Sequence, residues 1–239
     1  MEKIPSLRHH VTRCANKNTR ELEKSAHNWM VASAKNRLDY ELEWLGVPII
    51  QTAEDIVLMQ ELLYRIQPDF VIETGVAHGG SLIFYASMLE LFGLGEVIGI
   101  DIDIRRHNRD VIEQHPLFKR ITLIEGSSVS QDTLDTVQSL VPENATTVVC
   151  FDSNHYKEHV ALELKHYARF VSAGSYMVVF DTVTSLLVDD GGSDKSYRDN
   201  GPLEAVNEFL AERNDFVLDE EFNKLFISTS YNGFLKRIR

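Results

Sequence analysis

The chain has 239 residues, of which 44% are hydrophobic, and a formal net charge of −12 at pH 7. This length can bury one substantial core, so we expect a helical N-terminal extension over residues 1–50 and one α/β domain over residues 51–239. The acidic charge argues against a nucleic-acid partner, because phosphate backbones attract clustered Lys and Arg. No apolar run approaches the roughly 20 residues of a membrane span, and the polar start lacks a signal-peptide core. We therefore expect a cytoplasmic protein, with Cys14 and Cys150 reduced and unpaired.

Two helices are predicted ahead of the first strand of the domain. The first runs from Thr19 to about Trp44, and its apolar positions are sparse. Such a helix more often packs over a domain or against another subunit than builds a core, which favours a homo-oligomer. The segment from Thr52 to Asp55 has the spacing of a capping box and predicts the start of a second, amphipathic helix.

The segment that follows is typical of a nucleotide-binding βαβ unit. The apolar run Phe70 to Ile72 predicts a buried strand, which leads into a turn at Gly75. A helix is predicted after Gly79 to Ser81, and a second strand from Val97 ends at Asp101. In such units glycines let the backbone approach the ligand, and the acid accepts hydrogen bonds from ribose hydroxyls.

The spacing of this turn favours one class of nucleotide over another. Dinucleotide enzymes have G-x-G-x-x-G, but this chain has Ala77 in place of the second glycine, which suits a pyrophosphate poorly. The order Glu73-x-Gly75 instead resembles the first motif of class I S-adenosylmethionine-dependent methyltransferases. In that class the acid faces the positively charged amino-acid end of the cofactor. A βαβ unit without any cofactor stays open as the alternative.

The rest of the chain continues to alternate between strands and helices. Strands are predicted at 121–124, 147–151 and 176–180, and helices at 107–115, 130–140, 159–170 and 202–210. Repeated βα units predict a doubly wound, mostly parallel sheet with helices on both faces. Short antiparallel strands, with a turn near Asn232, are expected at the C-terminus. Between Leu186 and Pro202 a Gly- and Asp-rich loop is predicted to be a lid or disordered.

Six motifs in order, IETGVAHGGS, VIGIDIDIR, IEGSS, FDSNHYKEHV, GSYMVVFDT and GFLKR, resemble the cephalosporin hydroxylase family. That family includes rhamnosyl and other sugar O-methyltransferases, and the resemblance covers residues 45–239. It implies a Rossmann-like class I methyltransferase fold and methyl transfer from S-adenosylmethionine to a hydroxyl of a sugar or sugar-bearing metabolite. The acceptor, a small molecule or glycan from a surface polysaccharide, glycolipid or antibiotic, is not identified. The expected cofactor-binding residues are Glu73, Gly75, Ala77, His78, Gly79, Gly80, Ser81, Asp101, Asp103, Ser127 and Ser128.

Two aspartates at strand ends form a candidate metal site. If the fourth and fifth strands are neighbours, Asp152 and Asp181 emerge about 5 Å apart, close enough to share one cation. Mg²⁺ suits such an oxygen site. Related sugar methyltransferases usually have a further acid where this chain has Phe180, so one ligand is absent here. Alternatively, the two aspartates only cap the turns that follow.

His155 is the candidate general base, with Asp152 beside it as the second catalytic residue. A sugar hydroxyl is a poor nucleophile until its proton is removed, and a histidine suits that task near neutral pH. A structural histidine is the alternative. The run from His155 to His159 also matches the H-x-x-E-H signature of zinc peptidases, but it straddles a strand end and a helix start. Two further rivals stay open, a nicotinamide-dependent oxidoreductase or hydroxylase and a non-catalytic cofactor-binding partner.

Overall fold

The computed structural model describes residues 19–239. Cys14 and the first 18 residues of the predicted extension lie outside this range. The helices are α1 (Thr19–Asn36), α2 (Ala53–Ile66), α3 (Gly80–Phe92), α4 (Arg106–Gln114), α5 (Gln131–Leu140), α6 (Lys157–Tyr167), α7 (Thr184–Leu187) and α8 (Pro202–Glu212). The strands are β1 (Glu43–Trp44), β2 (Val47–Pro48), β3 (Phe70–Thr74), β4 (Glu96–Asp101), β5 (Ile121–Glu125), β6 (Thr147–Phe151), β7 (Tyr176–Val179), β8 (Phe216–Leu218) and β9 (Phe234–Arg237).

Seven of these strands form one sheet in the order β5-β4-β3-β6-β7-β9-β8. The first five are parallel, and β9 runs antiparallel to both β7 and β8. The predicted doubly wound α/β fold with antiparallel C-terminal strands is therefore confirmed. The strand order reverses between β3 and β6, and in such sheets the ligand crevice lies beyond the carboxyl ends of the strands at this switch point.

The helices bury both faces of the sheet. Neighbouring residues of a strand point to opposite faces, so Val71 belongs to one apolar cluster and Ile72 to the other. Helix α3 is apolar almost all round and is buried along its length, which fixes its first turn against the end of β3. Among residues 19–239, no helix is long and apolar enough to cross a membrane.

The predicted first helix is too long. Helix α1 ends at Asn36, because Arg37 takes a left-handed conformation (φ 53°) and a 3₁₀ turn at Leu38–Glu41 follows. A two-stranded hairpin, β1 with β2, then leads to the domain. The sparse apolar pattern carries no signal for this break, and the division into two units at residue 50 stays a prediction.

Helix α2 begins where the capping box predicts, and its first turn is tied to the C-terminal segment. The Thr52 hydroxyl accepts a hydrogen bond from the Asp55 backbone N–H (3.3 Å) and donates one to the Asp55 carboxylate (2.8 Å). That carboxylate also accepts from the Ser228 hydroxyl and from the N–H (2.8 Å) and hydroxyl (2.9 Å) of Thr229. We call Thr52, Asp55, Ser228 and Thr229 the Asp55 clamp.

Candidate active site

A cavity of about 440 Å³ opens at the carboxyl ends of the central strands. It lies at the topological switch point, where the fold predicts a ligand. The residues predicted for the site that line it are Gly75, Ala77, His78, Gly79, Gly80, Ser81, Asp101, Ser127, Ser128, Asp152, His155 and Asp181. The structure thus brings twelve of the fourteen predicted residues to one cavity, and Glu73 and Asp103 are the two that do not line it.

The glycine turn depends on close backbone approach. A Cβ on Gly75 would lie 2.0 Å from the carbonyl oxygen of Asp152, and one on Gly80 would lie 2.2 Å from that of Pro48. Gly75 also has φ of 95°, a conformation that other residues rarely adopt. Any side chain at these positions would push apart the turn, the end of β6 and the segment that follows β2.

Asp101 ties the end of β4 to this turn. Its Oδ2 accepts hydrogen bonds from the backbone N–H groups of Val76 (2.8 Å) and Ala77 (3.3 Å), and its Oδ1 accepts one from Asp103 (3.1 Å). Asp101 is therefore held in a fixed position at the cavity wall, and its role as a ribose acceptor stays a prediction. Asp103 is exposed two residues beyond the strand, so its side chain stays outside the cavity.

Glu73 is wholly buried beneath the cavity. Its carboxylate accepts hydrogen bonds from the hydroxyls of Ser81 (2.5 Å) and Tyr85 (3.0 Å). Burial raises the pKa of Glu73 to about 8, although both hydrogen bonds act in the opposite direction. Glu73 thus reaches the cavity only through Ser81, which lines it.

Two further polar contacts support the cavity wall. Asn108, which is buried on α4, donates to the carbonyl of Ala77 (2.7 Å) and lies 3.4 Å from His78 Nδ1. His159 Nε2 lies 3.2 Å from the Ser128 hydroxyl and 3.3 Å from Glu163, whose hydrogen bond raises the pKa of His159. Sequence reasoning missed Asn108, because nothing in its polar neighbourhood marks it as buried.

Asp152, His155 and Asp181 form the chemical centre of the cavity, and we call them the crevice cluster. Their ligating atoms all lie within 4.8 Å of one another, and His155 Nε2 is 3.3 Å from Asp181 Oδ2. Burial and then the neighbouring Asp181 raise the pKa of Asp152 well above its usual range, while His155 lowers it. Asp181 itself is held in a left-handed conformation with φ of 56°.

The crevice cluster has the donors that a hard divalent cation needs. Strands β6 and β7 are neighbours, as the metal prediction requires; Asp152 follows β6 directly, and Asp181 follows β7 after Phe180. Carboxylate oxygens with room for water suit Mg²⁺. Phe180 packs in the apolar core and also lines the cavity, and its phenyl ring supplies no third carboxylate. The donor set therefore fits a cation, and metal binding by these residues stays a prediction.

The zinc-peptidase signature does not form a helical pair. Helix α6 begins at Lys157, so His155 precedes it and cannot share a helix face with His159. His159 instead turns toward Ser128 and Glu163. Within residues 19–239, the only group of three potential ligands is the crevice cluster, and His159 is not part of it.

A wall of the cavity comes from a segment that the site prediction omitted. Asp39 and Tyr40 of the 3₁₀ turn and the stretch from Pro48 to Gln51 all line it. Burial, and to a smaller degree Asp181, raises the pKa of Asp39. Only the folded chain reveals this wall, because the irregular turn and hairpin that bring it to the cavity have no periodic sequence signal.

Residues 36–238 match the family model described as rhamnosyl O-methyltransferase/CmcI. Rhamnosyl O-methyltransferase of Mycobacterium bovis (strain BCG / Pasteur 1173P2) is 29% identical over 222 residues, which cover 88% of this chain and 83% of the relative. That of Mycobacterium leprae (strain TN) is 25% identical over 246 residues, with 99% and 100% coverage.

Solved structures show the same fold. A structure of CmcI with Mg and SAM superposes with a TM-score of 0.63 at 20% identity, covering 84% of this chain and 78% of CmcI. MycE, a methyltransferase from mycinamycin biosynthesis solved with Mg, SAH and mycinamycin VI, gives a TM-score of 0.53 at 19% identity. That match covers 88% of this chain and 53% of MycE.

Proposed function

We propose that this chain, which belongs to the rhamnosyl O-methyltransferase/CmcI family, transfers the methyl group of S-adenosylmethionine to a hydroxyl of a sugar or sugar-bearing metabolite. One observation carries the proposal: the crevice cluster and the glycine turn share one cavity. A methyltransferase needs this adjacency, because the cofactor and the activated hydroxyl must meet in line. The names of the mycobacterial relatives support the sugar as acceptor.

The glycine turn and Asp101 would hold the cofactor. Gly75 and Gly80 let the turn pack closely against the end of β6 and against Pro48, which fixes the backbone that lines the cavity, and the Asp101 carboxylate beside it would accept hydrogen bonds from ribose hydroxyls. Ser127 and Ser128 line the wall beyond Asp101. S-adenosylmethionine, when bound, supplies an electrophilic methyl group on a positively charged sulfur.

Asp152 and Asp181 would hold a divalent cation such as Mg²⁺. Their carboxylates lie close enough to share one ion, which would offset the repulsion that raises the pKa of Asp152. A cation there supplies charge that makes a nearby hydroxyl easier to deprotonate. Asp152 and Asp181 then have a double role, since they orient the acceptor as well as bind metal.

His155 would remove the proton of the acceptor hydroxyl. In the neutral ring Nε2–H would point to Asp181 Oδ2, 3.3 Å away, so Nδ1 would accept the proton and Asp181 would stabilise the imidazolium that results. The methyl group moves to the acceptor oxygen as the proton leaves, and S-adenosylhomocysteine is the second product.

Side-by-side calorimetric titrations with S-adenosylhomocysteine and NAD test the cofactor assignment. The wild type should bind S-adenosylhomocysteine, and Asp101→Ala should weaken that binding about 10- to 100-fold, the range for hydrogen bonds to a charged group. Asp132→Ala, on the exposed side of α5, is the matched control and should change nothing. Equal or tighter binding of NAD would instead favour an oxidoreductase. A screen of nucleotide sugars and glycolipids should then identify the acceptor.

We infer further that the protein forms homo-oligomers and acts in the cytoplasm without a nucleic-acid partner. The α1 side chains Leu22 and Trp29 and the hairpin residue Leu45 are exposed, which supports burial of this face by a second subunit. Sedimentation velocity at several protein concentrations tests the assembly. A species of 27.3 kDa at every concentration would contradict it.

A further inference from the structure

Gln51 is an anomaly in the cavity wall. Its side chain lines the cavity but is only 2% exposed, and neither its amide oxygen nor its amide nitrogen has a hydrogen-bond partner within residues 19–239. Buried polar groups are nearly always paired, because leaving one unpaired forfeits its hydration without return. An amide with both atoms unpaired at a ligand cavity points to a ligand as the missing partner.

The backbone on both sides of Gln51 is fixed. The preceding Pro48 places its carbonyl against Gly80, the first residue of α3, so the segment crosses directly over the N-terminus of that helix. The following Thr52 caps α2 and belongs to the Asp55 clamp, which also holds Thr229 at the cavity. Gln51 is therefore presented by a rigid segment on the glycine-turn side of the cavity.

We propose that the Gln51 side chain binds the α-amino-acid end of the cofactor, an inference that rests on the proposed methyltransferase function. A side-chain amide offers an NH₂ group that donates and a carbonyl oxygen that accepts, which match the carboxylate and the ammonium of an amino acid. The positive N-terminal end of α3, beside Pro48, favours the carboxylate on the same side. Asp101, at the end of β4, also lines the cavity and is the residue proposed for the nucleoside end, which leaves Gln51 for the amino-acid end.

Two ligands that differ only at this end provide the test. S-adenosylhomocysteine carries the amino acid, whereas 5′-methylthioadenosine has the same nucleoside and sulfur without it. Titrations of both ligands into wild type and Gln51→Met, which is similar in size but has no amide, isolate the contact. Gln138→Met, on the exposed side of α5, is the control for the substitution itself.

Gln51→Met should bind S-adenosylhomocysteine about 10- to 100-fold more weakly than wild type and bind 5′-methylthioadenosine within about twofold of it. Normal binding of the second ligand also shows that the variant is folded. Equal weakening for both ligands would mean that Gln51 only shapes the cavity, and no weakening for either would mean that Gln51 does not contact the cofactor. Both results would overturn this inference without affecting the proposed methyltransferase function. Failure of the wild type to bind S-adenosylhomocysteine would overturn the proposed function as well.

Discussion

The Asp55 clamp and the crevice cluster are both built around an aspartate whose pKa is raised mainly by burial. Asp55 accepts hydrogen bonds from three hydroxyls and one backbone N–H. No side chain or backbone group in residues 19–239 donates to the Asp152 carboxylate, and the charged neighbour with the largest effect on its pKa is a second aspartate, Asp181. The clamp is complete without a ligand, and the crevice cluster is not.

This difference distinguishes side chains that stabilise the fold from side chains that take part in the reaction. Donors that surround a buried carboxylate stabilise the fold, and the clamp uses them to join α2 to the C-terminal segment. Like charges held together cost stability and are typical of functional sites. We therefore expect substitutions in the crevice cluster to reduce activity without loss of stability, and substitutions in the clamp to do the reverse.

The largest effect is expected at His155. If its ring removes the acceptor proton, His155→Ala should lower kcat by about 10²- to 10⁴-fold, the usual contribution of a positioned general base. S-adenosylhomocysteine affinity and the melting temperature should hardly change. His107→Gln, at an exposed position on α4, is the control. Near-normal turnover of His155→Ala would remove His155 from the mechanism.

The aspartates of the cluster come next. Asp152→Asn and Asp181→Asn should each lower kcat about 10²-fold, because a charge on the cation site is lost while the shape is kept. Stability should stay level or rise in both, since the repulsion between the carboxylates disappears. Steady-state rates with added Mg²⁺ and thermal unfolding measure the two effects. Full activity of the wild type after exhaustive chelation would refute the proposed requirement for a metal ion.

A substitution in the clamp should give the opposite pattern. Asp55→Ala leaves its four donors without their acceptor and should reduce the free energy of unfolding by about 3 kcal/mol or more, at roughly 1–3 kcal/mol for each buried group left unpaired. Urea unfolding gives the value, and Asp135→Ala on exposed α5 should stay within about 0.5 kcal/mol of wild type. A free energy of unfolding that is unchanged in Asp55→Ala would show that the Asp55 clamp does not stabilise the fold.

Glu73 has features of both regions, and its effect on stability should appear as a dependence on pH. Its folded-state pKa of about 8 exceeds its unfolded value of 4.5, so the folded protein binds the proton more tightly. Its contribution to stability is therefore complete below pH 4.5 and is lost as the pH rises through 8, by up to about 1.4 kcal/mol per pH unit. Glu73→Gln cannot titrate and should flatten this fall in urea unfolding between pH 5 and 8. If the free energy of unfolding of the two proteins changes in parallel with pH, the raised pKa of Glu73 is contradicted.

Local sequence signals predicted the sheet and the core of the cavity. The apolar runs that end at Gly75, Asp101, Asp152 and Asp181 mark strand ends, and parallel topology then brings those ends together. Arg37, Asn108 and Gln51 were missed for a different reason. Arg37 lies at a break in a helix, Asn108 lies on the buried side of a mostly polar helix, and Gln51 lies on a segment that crosses a distant turn. None of these leaves a periodic pattern along the chain.

The left-handed backbone of Asp181 has a consequence for protein engineering. Glycine adopts that conformation without the steric cost of a side chain, and it would also remove the charge that opposes Asp152. A library selected for heat resistance alone would therefore be drawn toward Asp181→Gly, which discards a proposed metal ligand. Thermostable variants of this protein should be screened for methyl transfer at every round of selection, because stability and catalysis favour different residues at position 181.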